Sequence, residues 1–185
     1  MAYWFMKETF SVEPLRELEW GLPISGLRGG ELNRGKRIEI DVEEPVHFQL
    51  ESGEGVMPEL VTDQGILVTP ALAQAFRDCG VDNIDYYDAI IHDSETGEAF
   101  TYLLGNVIGV VDIIDLGASK LDPASPPKTA MLFDEIVLDE SKAHGLDLFR
   151  PLNKKSSLIV SSKVKDHIES LDFPHVWFIA PENKG

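Results

Sequence analysis

Little in this sequence supplies chemistry. Cys79 is its one cysteine in 185 residues, so no internal disulfide forms, in keeping with a reducing cytoplasmic setting. No apolar run approaches the ~20 residues that a membrane-spanning helix needs. The opening stretch from Met1 to Lys7 lacks a basic region followed by a long apolar core, and reads as a first strand rather than a secretory leader. Basic residues are scarce: 16 Lys and Arg stand against 32 Asp and Glu, a formal net charge of −16. That balance argues against nucleic acid and anionic membrane as partners, because phosphates are held by Lys and Arg. The deficit is also local. From Asp78 to Ser119 there are nine acidic residues (Asp78, Asp82, Asp85, Asp88, Asp93, Glu95, Glu98, Asp112 and Asp115) and no Lys or Arg. Two readings of this acidity stay open, a solvated face that maintains solubility and a surface that steers a basic partner.

Catalytic and metal-binding patterns are missing too. The histidines (His47, His92, His144, His167 and His175) show no H-x-H, H-x-x-x-H or H-E-x-x-H spacing, and no second cysteine completes a zinc site. Cys79 falls near a predicted helix C-terminus, where a thiol gains no activation, and reads as a small core residue. Asp139-Glu140-Ser141-Lys142 with His144 gathers nucleophile-like groups, but no glycine elbow surrounds Ser141 and sequence neighbours rarely converge as a triad. Its natural role is local, with Asp139 or Ser141 capping a short turn that Gly145 ends. Asp82, Asp85 and Asp88 recur every third residue without the glycine and distal glutamate of a calcium loop. The glycines at 26, 29, 30, 35, 53 and 55 lack dinucleotide-binding spacing and read as turns. No catalytic residue, metal ligand or cofactor is expected.

What is present is scaffold. Hydrophobic residues make up 43% of the chain, enough for one domain over residues 1–185. Interspersed helices and strands without strict βαβ alternation indicate an α+β fold, with mixed or antiparallel sheets and few helices. Ile66-Leu67-Val68-Thr69-Pro70 aligns without a gap on Leu158-Ile159-Val160-Ser161-Ser162, and Ile84 to Tyr87 then falls on Val176 to Ile179. This suggests a duplicated strand–helix–strand unit, spanning 56–91 and 148–180. Thr69 and Ser161 are the expected N-caps, with Pro70 at the first helical position and Gly80 as the stop. Leu72, Phe76 and Cys79 match Val164, Ile168 and Leu171 as two buried stripes. A strand from Ile84 to Ile91 leads into a hairpin at Asp93–Gly97, with a return strand from Glu98 in which Gly105 and Gly109 mark bulges or a break. Further strands are expected at Arg37–Val42, by its alternation, and at Met131–Leu138. The proline-rich Leu121–Lys128 stretch is a loop and Pro181–Gly185 a tail.

Several of these segments together resemble a bacterial, myxobacterial-type immunity-protein family encoded beside polymorphic toxins. The resemblance rests on Tyr102-Leu-Leu-Gly-Asn-Val107, Val111-Asp-Ile-Ile-Asp115, Ile136-Val-Leu-Asp-Glu-Ser-Lys142, Leu148-Phe-Arg150 and Leu158-Ile-Val-Ser-Ser-Lys163, in order across roughly residues 45 to 180. It implies a non-enzymatic, cytoplasmic antidote that binds a cognate toxin, and it carries over no catalytic residues. Within it, Phe149 is expected to be a core anchor, Arg150 a partly buried neighbour paired with an acidic group, and Asn106 a bond-maker at a strand irregularity. Combined with the acidity, it points to a toxin with a basic active-site cleft, met by a surface of Asp82, Asp85, Asp88, Asp93, Glu95 and Glu98. The rival readings are a small-molecule-binding regulatory module lined by aromatics such as Trp4 and Trp20, and a hydrolase.

Overall fold

The computed structural model describes residues 2–9, 15–19, 24–51, 55–62, 65–126 and 130–181. Two five-stranded sheets carry the fold. The first runs β12 (Val176–Ile179), β1 (Tyr3–Glu8), β11 (Leu158–Ser161), β10 (Leu148–Pro151) and β7 (Val110–Val111). The second runs β2 (Val46–Gln49), β5 (Ile84–His92), β6 (Ala99–Val107), β4 (Ile66–Val68) and β3 (Leu60–Val61). A short ribbon joins β8 (Lys120–Leu121) to β9 (Phe133–Glu135). With two α-helices, α1 (Pro70–Asp78) and α2 (Ser162–Glu169), the protein is α+β with mixed sheets.

The helices form where their caps say they should. The Thr69 hydroxyl accepts the Leu72 amide and Pro70 opens α1, while the Ser161 hydroxyl accepts the Val164 amide at the start of α2. Gly80, at φ +85, takes the left-handed turn that ends α1. Leu72, Phe76, Val164 and Ile168 bury their side chains in a cluster that also receives Ile66 and Val68 from one sheet and Leu158 and Val160 from the other. This shared cluster is the centre of the molecule. Each sheet's far face is covered separately: Tyr3, Phe149 and Ile159 by residues between Val111 and Ala143, and Phe48, Ala89, Tyr102 and Leu104 by Ile24 and Leu32. Alternate residues of a strand therefore enter different cores.

The two aligned stretches take the same course. β4 and β5 flank β6, as β11 and β12 flank β1, with every one of these pairings antiparallel. Tyr87 faces Leu104 and Ile179 faces Phe5, while Val68 faces Leu103 and Val160 faces Trp4. A shared course is not a shared origin, and the duplication over 56–91 and 148–180 remains an expectation from sequence. The stripes do differ: Cys79 is buried, whereas Leu171 lies beyond the end of α2 and is 39% exposed.

Other expectations change. Arg37–Val42 forms no strand; the free edge of β5 is taken instead by Val46–Gln49, which lies parallel to it. Alternation alone cannot make a strand without a ladder to join. Gly105 is no bulge but a regular position in β6, against Ile66. The break comes at Gly109, where φ is +123. Only Phe133–Glu135 of the expected Met131–Leu138 strand pairs as one, with Leu138 making an isolated bridge to Ile114. Leu121 belongs to β8 rather than the loop after it. Trp20, Gly53, residues 127–129 of the proline-rich stretch and residues 182–185 of the tail lie outside the described residues.

Candidate functional site

The acidic residues of the β5–β6 hairpin and of the turn before it are not all left at the surface. Asp82, Asp88, Glu95 and Glu98 are exposed. Asp85 is half-buried and engages Arg37, with Oδ1 2.6 Å from Nη1. Asp93 is inside the protein, 3% exposed, and its Oδ2 lies 2.7 Å from Nη2 of Arg16. It also accepts the Glu95 and Thr96 amides and the Thr96 hydroxyl, so it closes the turn that the sequence placed at Asp93–Gly97. The Thr96 hydroxyl first, and then Arg16, hold its carboxyl well below the usual carboxylate range. Asp93 is thus a structural residue. A carboxylate so fully supplied with donors has nothing left to offer a partner.

A second set of carboxylates lies beside the hairpin. A cavity of about 550 Å³ is lined by Asp41, Glu43, Glu44 and His47, with Ser25 and Val46. Glu44 accepts the backbone amide of Asp88, which joins the cavity to the hairpin. His47, on β2, meets His92, on β5: Nδ1 of the first lies 2.7 Å from Nε2 of the second, with ring centroids 5.0 Å apart. At that separation one imidazole donates and the other accepts. Sequence spacing could not bring these groups together, because the parallel β2–β5 ladder joins residues far apart in the chain. The signal that was available is Glu43-Glu44 directly ahead of the alternating Val46-Phe48-Leu50 run. Concave, negatively charged and open to solvent, this surface is suited to accepting Lys or Arg side chains of another macromolecule.

Nothing assembled here resembles an acid–base or nucleophilic set. Ser141 Oγ donates to Asp139 at 2.6 Å and the turn ends at His144 and Gly145, both at positive φ. Asp139 accordingly caps the 3₁₀ turn Glu140–Ala143. The Cys79 thiol donates to the Phe76 carbonyl, and burial pushes its pKa up, away from reactivity. Among the described residues no group of three or more His, Cys, Asp or Glu could hold a metal ion. No described helix is long and apolar enough to cross a membrane.

The scaffold positions resolve one by one. Phe149 is fully buried, and stacks at a tilt on Tyr3 with centroids 5.6 Å apart. Asn106 sits in regular register opposite Asp85 rather than at a strand irregularity; it is buried and donates Nδ2 to the Lys36 carbonyl at 2.9 Å, tying the 24–51 segment to β6. Arg150 departs from expectation. It is fully rather than partly buried, and its Nη1 donates to the Lys155 carbonyl at 2.9 Å, with no carboxylate among the described residues paired to it. Burial alone pushes its pKa down to about 10. Trp4 packs against the central cluster beneath the Lys165 ammonium, 4.8 Å from its ring, and so belongs to the core rather than to a pocket.

The model of an immunity protein family (Imm11) matches residues 7–183, nearly the whole chain, and the protein belongs to that family. No curated protein matches it.

Proposed function

We propose that this member of the immunity protein family is an antidote of a polymorphic toxin system, which binds a cognate toxin in the cytoplasm and blocks it without catalysis. Its acidic surface would enter a cationic cleft of the toxin, in the place of a phosphate-bearing substrate. One observation carries the reading: a net charge of −16 is joined to an acidic cavity whose carboxylates Asp41 and Glu43 are exposed and, among the described residues, bound by no side chain. The interface is therefore redrawn. Asp41 and Glu43 join Asp82, Asp88, Glu95 and Glu98, while Glu44, Asp93 and Asp85 are set aside as residues that the fold already uses. Carboxylates left unpaired on a concave surface raise the rate of meeting a basic partner, and the effect weakens with salt.

Coexpression with the product of the neighbouring gene tests this directly, scoring survival and copurification. Rescue with a stable complex is expected. The triple variant Asp41→Lys, Glu43→Lys, Asp88→Lys should then slow association at least ~10-fold at low salt and flatten its salt dependence. A triple variant that associates like the wild type, with the same salt slope, refutes the acidic interface. Rescue without any complex refutes action by binding.

A further inference from the structure

A second cavity, of about 420 Å³, differs in character from the acidic one. Its floor is apolar, built from Phe5, Ile136 and Ile179. Its rim carries Lys7 and Lys154 beside the hydroxyls of Ser156 and Ser157. Neither lysine makes an ion pair: the Lys7 ammonium lies 5.4 Å from the Trp177 ring, and Lys154 bonds only through its backbone. Elsewhere among the described residues Lys120, Lys142, Lys163 and Lys165 are each matched to a carboxylate, while Lys36 and Lys155 are not. What sets Lys7 and Lys154 apart is that both line one groove beside Phe5, Ile136 and Ile179. The carboxylate of Glu8 is the counterweight, and it is engaged by the hydroxyl of Thr62.

We propose that this groove is a binding site for a small amphipathic carboxylate, with its apolar body on Phe5, Ile136 and Ile179 and its anionic head between Lys7 and Lys154. The volume falls within the ~300–1,000 Å³ typical of small-molecule sites, and the lining has their usual composition, apolar walls with a few polar groups that fix orientation. A neutral ligand would leave both ammonium groups uncompensated at the rim. A fully polar anion would leave the apolar floor in water. Only a ligand with both parts uses both. This site is independent of the acidic surface, and its failure would leave the antidote reading untouched.

The test uses the full-length protein at neutral pH, with 8-anilinonaphthalene-1-sulfonate as fluorescent reporter. Decanoate is the carboxylate probe and decanol its uncharged counterpart. The reporter should bind the native protein, and decanoate should displace it at least ~10-fold more effectively than decanol, since one charge-assisted contact is worth about that factor. The double variant Lys7→Met, Lys154→Met should abolish this preference while leaving decanol binding unchanged, because methionine retains the apolar stem. Lys154→Met alone, with Lys7 on β1 left intact, should remove part of it and guards against misfolding of the double variant. Equal displacement by decanoate and decanol, no reporter binding, or an undiminished preference in folded variants would each overturn the proposal.

Discussion

Replacing Gly105 by alanine adds one methyl group at a crowded point of the second sheet. Gly105 lies on β6 between Ile66 of β4 and Tyr86 of β5. A Cβ there would sit 2.7 Å from Ile66 Cγ1, and 3.0 Å from both Ile66 Cδ1 and Ile84 Cγ2. Carbon atoms in good contact are about 3.5–4.0 Å apart, so each of these neighbours must withdraw by half an ångström or more. Ile66 cannot do so freely, because it is fully buried in the central cluster. Overpacking of this kind costs about 1–3 kcal/mol, partly offset by about 0.5–1 kcal/mol of chain entropy that alanine saves over glycine in a strand. A net destabilisation of about 1–2 kcal/mol follows, which for a domain of this size lowers Tm by roughly 2–8 °C. Urea unfolding followed by tryptophan fluorescence reads the free energy, and calorimetry reads Tm. The decisive comparison is a double-mutant cycle with Ile66→Ala, which removes both clashing atoms of that residue: in its background Gly105→Ala should become neutral or stabilising. Additive effects, or a Gly105→Ala protein as stable as the wild type, would refute the steric account.

Two further outcomes follow from buried charge. Arg150→Met should leave stability unchanged or raise it by up to about 4 kcal/mol, because it replaces a desolvated cation that has no carboxylate partner with an apolar group of similar length; thermal unfolding that drops by more than about 5 °C would show that the guanidinium contributes far more than its bond to Lys155. Asp93, with its folded pKa held below the unfolded value, contributes stability above about pH 4 that is lost as pH falls through the folded value. The gap in Tm between wild type and Asp93→Ala should therefore be constant from pH 7 to pH 5 and narrow below pH 4, and a gap unchanged at pH 2 would contradict the assignment.

Local signals in this sequence were readable and long-range ones were not. Thr69, Pro70, Gly80 and Ser161 act within one turn of their own positions, and each performs the capping role that its residue type implies. The Asp93–Gly97 turn was visible for the same reason. Its cost was not visible: the residue that closes the turn is consumed by it, and the pairing with Arg16 spans most of the first hundred residues. Arg37–Val42 has the alternation of a strand but finds no partner, whereas Val46–Gln49 wins the edge of β5 by carrying Val46 and Phe48 into the core beneath it. The acidic cavity lay out of reach for that reason, since it exists only once β2 is laid parallel to β5. The family likeness was legible because it resides in scaffold segments, most of which are buried.

The carboxylates of a binding surface should be those that the fold leaves unspent. Asp93 serves a turn, Asp85 serves Arg37, and Asp147 serves both Ser161 and Lys163. Reversing the charge of any of these would weaken a partner's grip by disturbing the scaffold, and the loss would be misread as a lost contact. Asp41, Glu43 and Asp88 carry no such duty: their side chains are exposed and accept no bond from any donor among the described residues. A large effect of reversing these three, with an unchanged melting temperature, can only be an effect on association. The same logic explains why a chain this acidic can still hold a cationic groove. Among the described residues Lys120, Lys142, Lys163 and Lys165 are each paired with a carboxylate, whereas Lys7 and Lys154, which line one groove with Phe5, Ile136 and Ile179, are not.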